Sequence, residues 1–184
     1  MLADLASVGI SLRRGTGPEQ ILVGREKIEK GGFEVLLIEM GEEPFDLKTF
    51  TPLEPFCDDV WHFDVEAIED HGSYVRIAEN CRRLAGGDLK FEDIRDYVDI
   101  DGKVAWLEVS INGRRDRVDF KVDNDWVDPV IFAKLQEWLG EAGSERRFAV
   151  QGLGQDLLLI CKSPEEINRI NRKTGLRFRD NLNI

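Results

Sequence analysis

The residues of this chain best suited to chemistry lie between Glu39 and Asp70, and they are carboxylates. Eleven acids (Glu39, Glu42, Glu43, Asp46, Glu54, Asp58, Asp59, Asp64, Glu66, Glu69 and Asp70) face the single cation Lys48, so this stretch carries a net −10. The whole 184-residue chain has 36 Asp+Glu against 25 Lys+Arg and a formal charge of −11. Carboxylates at that density can hold a divalent cation, act as a general acid and base, or attract a basic partner.

The metal candidate is His62, Asp64, Glu66 and His71. An imidazole with carboxylates can form a facial set that leaves a position open for a hydrolytic water. Alternate residues of one strand, however, stand about 6.5–7 Å apart at the backbone, which places convergence on one ion at the limit of reach. Asp96, Asp99, Asp101 and Gly102 resemble a calcium loop in part, but Tyr97 occupies the position that must supply the first carboxylate. Gly152 and Gly154 lack the Gly-Lys-Ser/Thr of a phosphate loop. His71 and Ser73 have no third residue to orient them as base and nucleophile, and Ser73 reads as a helix start.

The elements that must position these residues follow from periodicity. Leu2–Ser7 reads as a helix, Ile10–Leu12 as a strand, and Pro18 as the first residue of a helix that Gly31-Gly32 stops. Phe33–Met40 fits a helix or a buried strand. Pro44, Pro52 and Pro55 mark Glu42–Pro55 as an irregular connection. Val60–Ala67 alternates, with Trp61, Phe63 and Val65 on one face and His62, Asp64 and Glu66 on the other. Tyr74, Ile77, Ala78, Cys81, Leu84 and Ala85 form the apolar stripe of a helix ended by Gly86-Gly87, and Phe91–Tyr97 suggests one further helical turn.

Asn112-Gly113 joins Val104–Ile111 to Arg114–Val122 as a hairpin with a type I′ turn. That turn pairs Ile111 with Arg114, Leu107 with Val118, Ala105 with Phe120 and Glu108 with Arg117. Trp106 lies on the opposite face from Leu107, which implies that this face is partly covered as well, with a helix as the candidate cover. Asp128-Pro129 caps a helix buried along Ile131, Phe132, Leu135, Trp138 and Leu139. Phe148–Gln151 and Leu157–Cys161 form a second hairpin, and Ser163-Pro164-Glu165-Glu166 is a capping box opening a helix that Gly175 ends.

The fold class is therefore α+β: a mainly antiparallel sheet of two hairpins plus an additional strand, flanked by amphipathic helices. Residues 1–54 read as an N-terminal helical segment packed on an α+β domain of residues 55–184. A sequence pI near 4.7 counts against nucleic-acid binding. No apolar run reaches the ~20 residues that span a membrane. Three widely spaced cysteines, Cys57, Cys81 and Cys161, write no disulfide framework and suit a reducing cytoplasm.

Several peptides carry a resemblance: Asp58-Asp59-Val60-Trp61-His62-Phe63-Asp64, Ile68-Glu69-Asp70-His71-Gly72-Ser73-Tyr74-Val75-Arg76-Ile77, Asn124-Asp125-Trp126-Val127-Asp128-Pro129, Gly154-Gln155-Asp156 and Thr174-Gly175-Leu176-Arg177-Phe178. Together they resemble an uncharacterised family of small acidic bacterial proteins, some of them similar to immunity proteins of polymorphic toxin systems. With the −10 stretch and the lack of an assembled nucleophile or metal set in the sequence, the resemblance leads to the expectation of a non-catalytic acidic binding protein without a cofactor or metal, for example an immunity protein whose partner is a toxin with a basic surface such as a nuclease. The contact residues expected on that reading are Asp58, Asp59, Trp61, His62, Asp64, Glu66, Glu69, Asp70, Asp125 and Trp126. The alternative is a metal-dependent hydrolase built on His62, Asp64, Glu66 and His71.

Overall fold

Leu157-Leu158-Leu159-Ile160-Cys161 is an unbroken apolar run, and every one of its residues is buried. A strand reads this way when both of its faces are covered. The computed structural model, which describes residues 1–21, 25–49, 51–111 and 113–180, places this run in the centre of a three-stranded antiparallel sheet.

The helices are α1 Leu2–Ala6, α2 Arg25–Gly41, α3 Ser73–Ala85, α4 Val130–Glu141 and α5 Pro164–Thr174. The strands are β1 Phe45–Asp46, β2 Thr51–Pro52, β3 Trp61–Asp64, β4 Asp93–Asp99, β5 Val104–Ile111, β6 Arg114–Phe120, β7 Arg147–Gly152 and β8 Asp156–Lys162. They form a short β1-β2 ribbon and two sheets of order β3-β8-β7 and β4-β5-β6, all antiparallel. The fold is α+β, as the alternation of hairpins and helices implies.

One face of β3-β8-β7 presents Trp61, Phe63, Leu157, Leu159, Cys161 and Phe148 to a core shared with α3, α4 and the inner face of β4-β5-β6. The other presents Leu158, Ile160 and Ala149 to Leu5 of α1, Leu36, Leu37 and Met40 of α2, and Ile167 and Ile170 of α5. Helix α3 touches β8 as well as β4 and β5, while α4 touches β7 and β6, so the two helices bridge the two sheets.

The β5–β6 register is the one expected, including Leu107 opposite Val118 and Glu108 opposite Arg117; the Asn112 half of the turn lies outside the described residues. The expected Glu108–Arg117 ion pair does not form. Glu108 takes Arg95 at 2.6 Å, and Arg117 turns to Asp119 at 2.7 Å and lies over Trp106, 4.5 Å from its ring centre. Trp106 is thus covered by Arg117 and by Tyr97, whose ring stacks parallel to it, rather than by a helix.

Three local readings are corrected. The expected helical turn at Phe91–Tyr97 is strand β4, whose Ile94, Asp96 and Val98 turn inward at period two once β5 is there to pair with it. The Ile10–Leu12 strand is reduced to a single bridge between Leu12 and Cys57. The helix expected to open at Pro18 is instead a separate 3-10 turn, Pro18–Gln20; the break expected at Gly31-Gly32 is present, since Gly32 at φ 67° and ψ −149° is not helical and divides α2 into two helices meeting at a kink. Phe33–Met40 is accordingly helical.

Candidate functional site

The acidic stretch divides into two parts that differ in what neutralises them. In the first, residues 42–59, each carboxylate near the core meets a cation or an N–H from elsewhere in the chain. Glu43 accepts from the indole Nε1–H of Trp61 at 2.9 Å, from Arg76 at 2.5 Å and from Asn80 Nδ2 at 2.9 Å. Burial alone would raise its pKa, but these bonds to the charged form hold it below the usual glutamate value. Asp58 receives Arg13 at 2.8 Å on both oxygens, and Arg13 also reaches Glu54. Asp59 binds Lys162 at 2.6 Å and the Ser11 amide at 3.0 Å. Lys162 in turn donates to the Gly9 carbonyl at 2.7 Å. Asp58 and Asp59 are therefore tied into the packing of residues 9–13, and Trp61, fully buried, has a structural role in place of the expected surface contact.

The second part begins where β3 ends. The Val127 amide donates to the Val65 carbonyl and the Ile68 amide to the Asp125 carbonyl, both at 2.9 Å, which zips residues 65–68 to the turn before α4. Asn124 supplies the positive φ of that turn, and Trp126 arrives in a bridge with Glu66, 46% exposed. This brings Asp64, Glu66, Glu69, Asp70, Asp125 and Trp126 onto one surface. Register adds a carboxylate that the sequence reading missed, because Asp64 faces Asp156 directly across β3–β8. Like charges in that position repel unless something positive is supplied. Gln155 ties Asp64 to the segment beyond it, donating to Glu66 at 2.8 Å and to Asp64 at 3.4 Å. Asp64, Glu66, Glu69, Asp70, His71 and Arg76 line a cleft of about 560 Å³. Arg76 is already drawn to Glu43, and among the described residues no Lys or Arg pairs with Asp64, Glu66, Glu69 or Asp125.

The two histidines serve separate sites. His62 is half-buried, bonded through Nδ1 to Glu42 at 2.8 Å, with Nε2 3.9 Å from Asp156. The hydrogen bond to Glu42 raises its pKa against the opposing effect of burial. His71 is exposed, 2.9 Å from Asp70, with its ring against Tyr97. His71 lines the cleft with Asp64 and Glu66 while His62 stands outside it, and among the described residues no group of three or more His, Cys, Asp or Glu converges as a metal set would.

No family model, curated protein or solved structure matches this chain. The arrangement must be read on its own chemistry. Among the described residues no helix is long and apolar enough to cross a membrane. The surface has anions, a half-exposed indole and a shallow cleft, so it is equipped for electrostatic contact anchored by an aromatic ring.

Proposed function

We propose that this chain is a non-catalytic binding protein that covers a basic surface on a protein partner, in the manner of an immunity protein occluding a toxin such as a nuclease. The observation that carries the reading is the set Asp64, Glu66, Glu69 and Asp125, with no Lys or Arg partner among the described residues, around the exposed Trp126. Had the whole acidic stretch been a solubilising flank or an internal ion-pair network, its two halves would have been treated alike. Instead Glu42, Glu43, Glu54, Asp58 and Asp59 are each matched by a cationic or imidazole side chain, whereas Asp64, Glu66 and Glu69 have no Lys or Arg partner among the described residues. The peptides that resemble small acidic bacterial proteins include both Asp64 and Trp126, which supports the same reading.

On this proposal the uncompensated charge speeds encounter and selects the partner, an effect worth roughly 10–10³ in association rate at low salt. Trp126 is the ring that loses its water on contact. The test compares the wild-type chain with an Asp64→Asn, Glu66→Gln, Glu69→Gln, Asp70→Asn variant as bait in a lysate of the native host, with captured polypeptides identified and re-bound as pure proteins. A basic partner whose activity the wild type inhibits, and whose association rate falls about tenfold or more in the variant, is the expected result. A partner bound by both with the same rate and the same salt dependence would sink the proposal.

A further inference from the structure

Of the two histidines, His71 has one ring nitrogen claimed from two sides by groups of opposite chemistry. Its Nδ1 lies 2.9 Å from Oδ1 of Asp70, an acceptor, and 3.4 Å from the backbone amide of Val98, a donor. A neutral imidazole carries either a lone pair or a hydrogen at that nitrogen, and an imidazolium always carries a hydrogen. With a lone pair, Nδ1 accepts from Val98 and has no bond to offer Asp70. With a hydrogen, Nδ1 donates to Asp70 and turns a donor toward the Val98 N–H. The two bonds exclude each other.

The fold places both claimants and holds the ring between them. Ile111 and Arg114 close the β5–β6 hairpin, so every second residue back to Ala105 bonds toward β6, and Ala105 therefore leaves its partner Val98 unbonded on that side. The Val98 N–H points off the open edge of β4, toward His71. Asp70 is fixed because its Oδ1 also accepts from the His71 amide at 2.6 Å, and the ring packs on Tyr97 with centres 4.7 Å apart. Exposure decides which bond the neutral ring makes. The Asp70 side chain is 82% exposed and can be hydrated, whereas Val98 is 3% exposed and its amide cannot.

We infer that His71 is a proton-operated latch: neutral, its Nδ1 lone pair fastens residues 69–72 to the edge of β4 through the Val98 amide; protonated, it releases that amide and pairs with Asp70. The other charged or titratable groups around it are Glu69 on its own turn, Asp64, Glu66 and Arg76 lining the cleft, and Asp96, Tyr97 and Asp99 on β4. Arg76 is held by Glu43, Asp96 by the amides of Gly72, Tyr74 and Val75, and Asp99 by the amide of Gly102. Imidazoles change charge between about pH 5 and 8, so acidification sets one cation into the acidic cleft as the latch opens. The effect on partner capture rests on the binding role proposed above; the latch itself does not.

The test follows the ¹⁵N-labelled full chain by NMR from about pH 8 to about pH 5, reading the His71 ring nitrogens and the Val98 amide. At the alkaline end the ring proton should be on Nε2, with Nδ1 bare. As pH falls, the Val98 amide proton should move upfield with the same midpoint as the His71 ring. Its solvent exchange, corrected for the intrinsic effect of pH, should quicken about twofold to tenfold, the factor one ordinary hydrogen bond gives. In a His71→Gln chain whose remaining spectrum is unchanged, both Val98 responses should vanish. A hydrogen on Nδ1 at the alkaline end would overturn the inference, as would Val98 exchange that is constant through the ring titration. A Val98 midpoint that survives in His71→Gln would do the same, since another group would then be responsible. None of these readings involves a partner, so the latch and the binding role fail separately.

Discussion

Glu43 illustrates how much one side chain can organise. Its two oxygens hold the indole of Trp61 on β3 and both Arg76 and Asn80 on α3, from a position just past the end of α2. Because its folded pKa is depressed, the stabilisation is fully present above the unfolded value, about 4.3, and is lost as pH falls through the folded pKa. Glu43→Gln should cost about 1–3 kcal/mol at neutral pH and flatten the acid limb of a urea-denaturation series. His62 runs the other way. Its folded pKa is raised, so the His62–Glu42 contribution is complete below about 6.5 and disappears as pH rises through the folded value. A His62→Gln chain should lose that alkaline-side slope in the same titration; if the slope persists, it originates elsewhere. The sequence displayed both acids but not their partners. Asp59 and Lys162 are 103 residues apart, and only the fold makes them neighbours.

Elements were legible where their signals were local. The two hairpins, the α3 stripe and the Ser163–Glu166 capping box all appear where periodicity and turn chemistry put them. Elements that depend on distant chain were not. Strand β4 has an alternation too weak to announce itself without β5, and the N-terminus of α3 is held by Asp96 of β4, whose carboxylate accepts from the amides of Gly72, Tyr74 and Val75. Ser73 instead accepts from the amides of Glu69 and Asp70, fixing the turn that exposes those acids. Asp96→Ala should therefore cost about 1–2 kcal/mol, and hydrogen exchange should show the Tyr74 and Val75 amides losing protection ahead of the rest of α3. At the other end of α3, Arg146 donates to the carbonyls of Leu84 and Ala85 and to Cys161 of β8. A lysine cannot reproduce that planar fork.

At the scale of the molecule, the three thiols report on both cores. Cys57 lies in the core with α1, α2 and α5, whereas Cys81 and Cys161 lie in the core between the two sheets, and none is exposed. Burial pushes Cys57 up to about 11 and Cys161 up to about 12, and raises Cys81 as well. Thiolate is the reacting form. Native protein at neutral pH should thus resist an aromatic disulfide reagent that labels the urea-unfolded chain completely. If Cys57 alone reacts early, the N-terminal core opens before the other.

Strand β8 has a consequence for any attempt to shorten the protein. Leu158 and Ile160 are shielded from water by helices drawn from the first 41 residues and from α5. A fragment starting at residue 55 would keep every strand of both three-stranded sheets yet uncover a continuous oily strip along the middle of one of them. Such a fragment should form aggregates or recruit detergent, even though its secondary structure would look intact by circular dichroism.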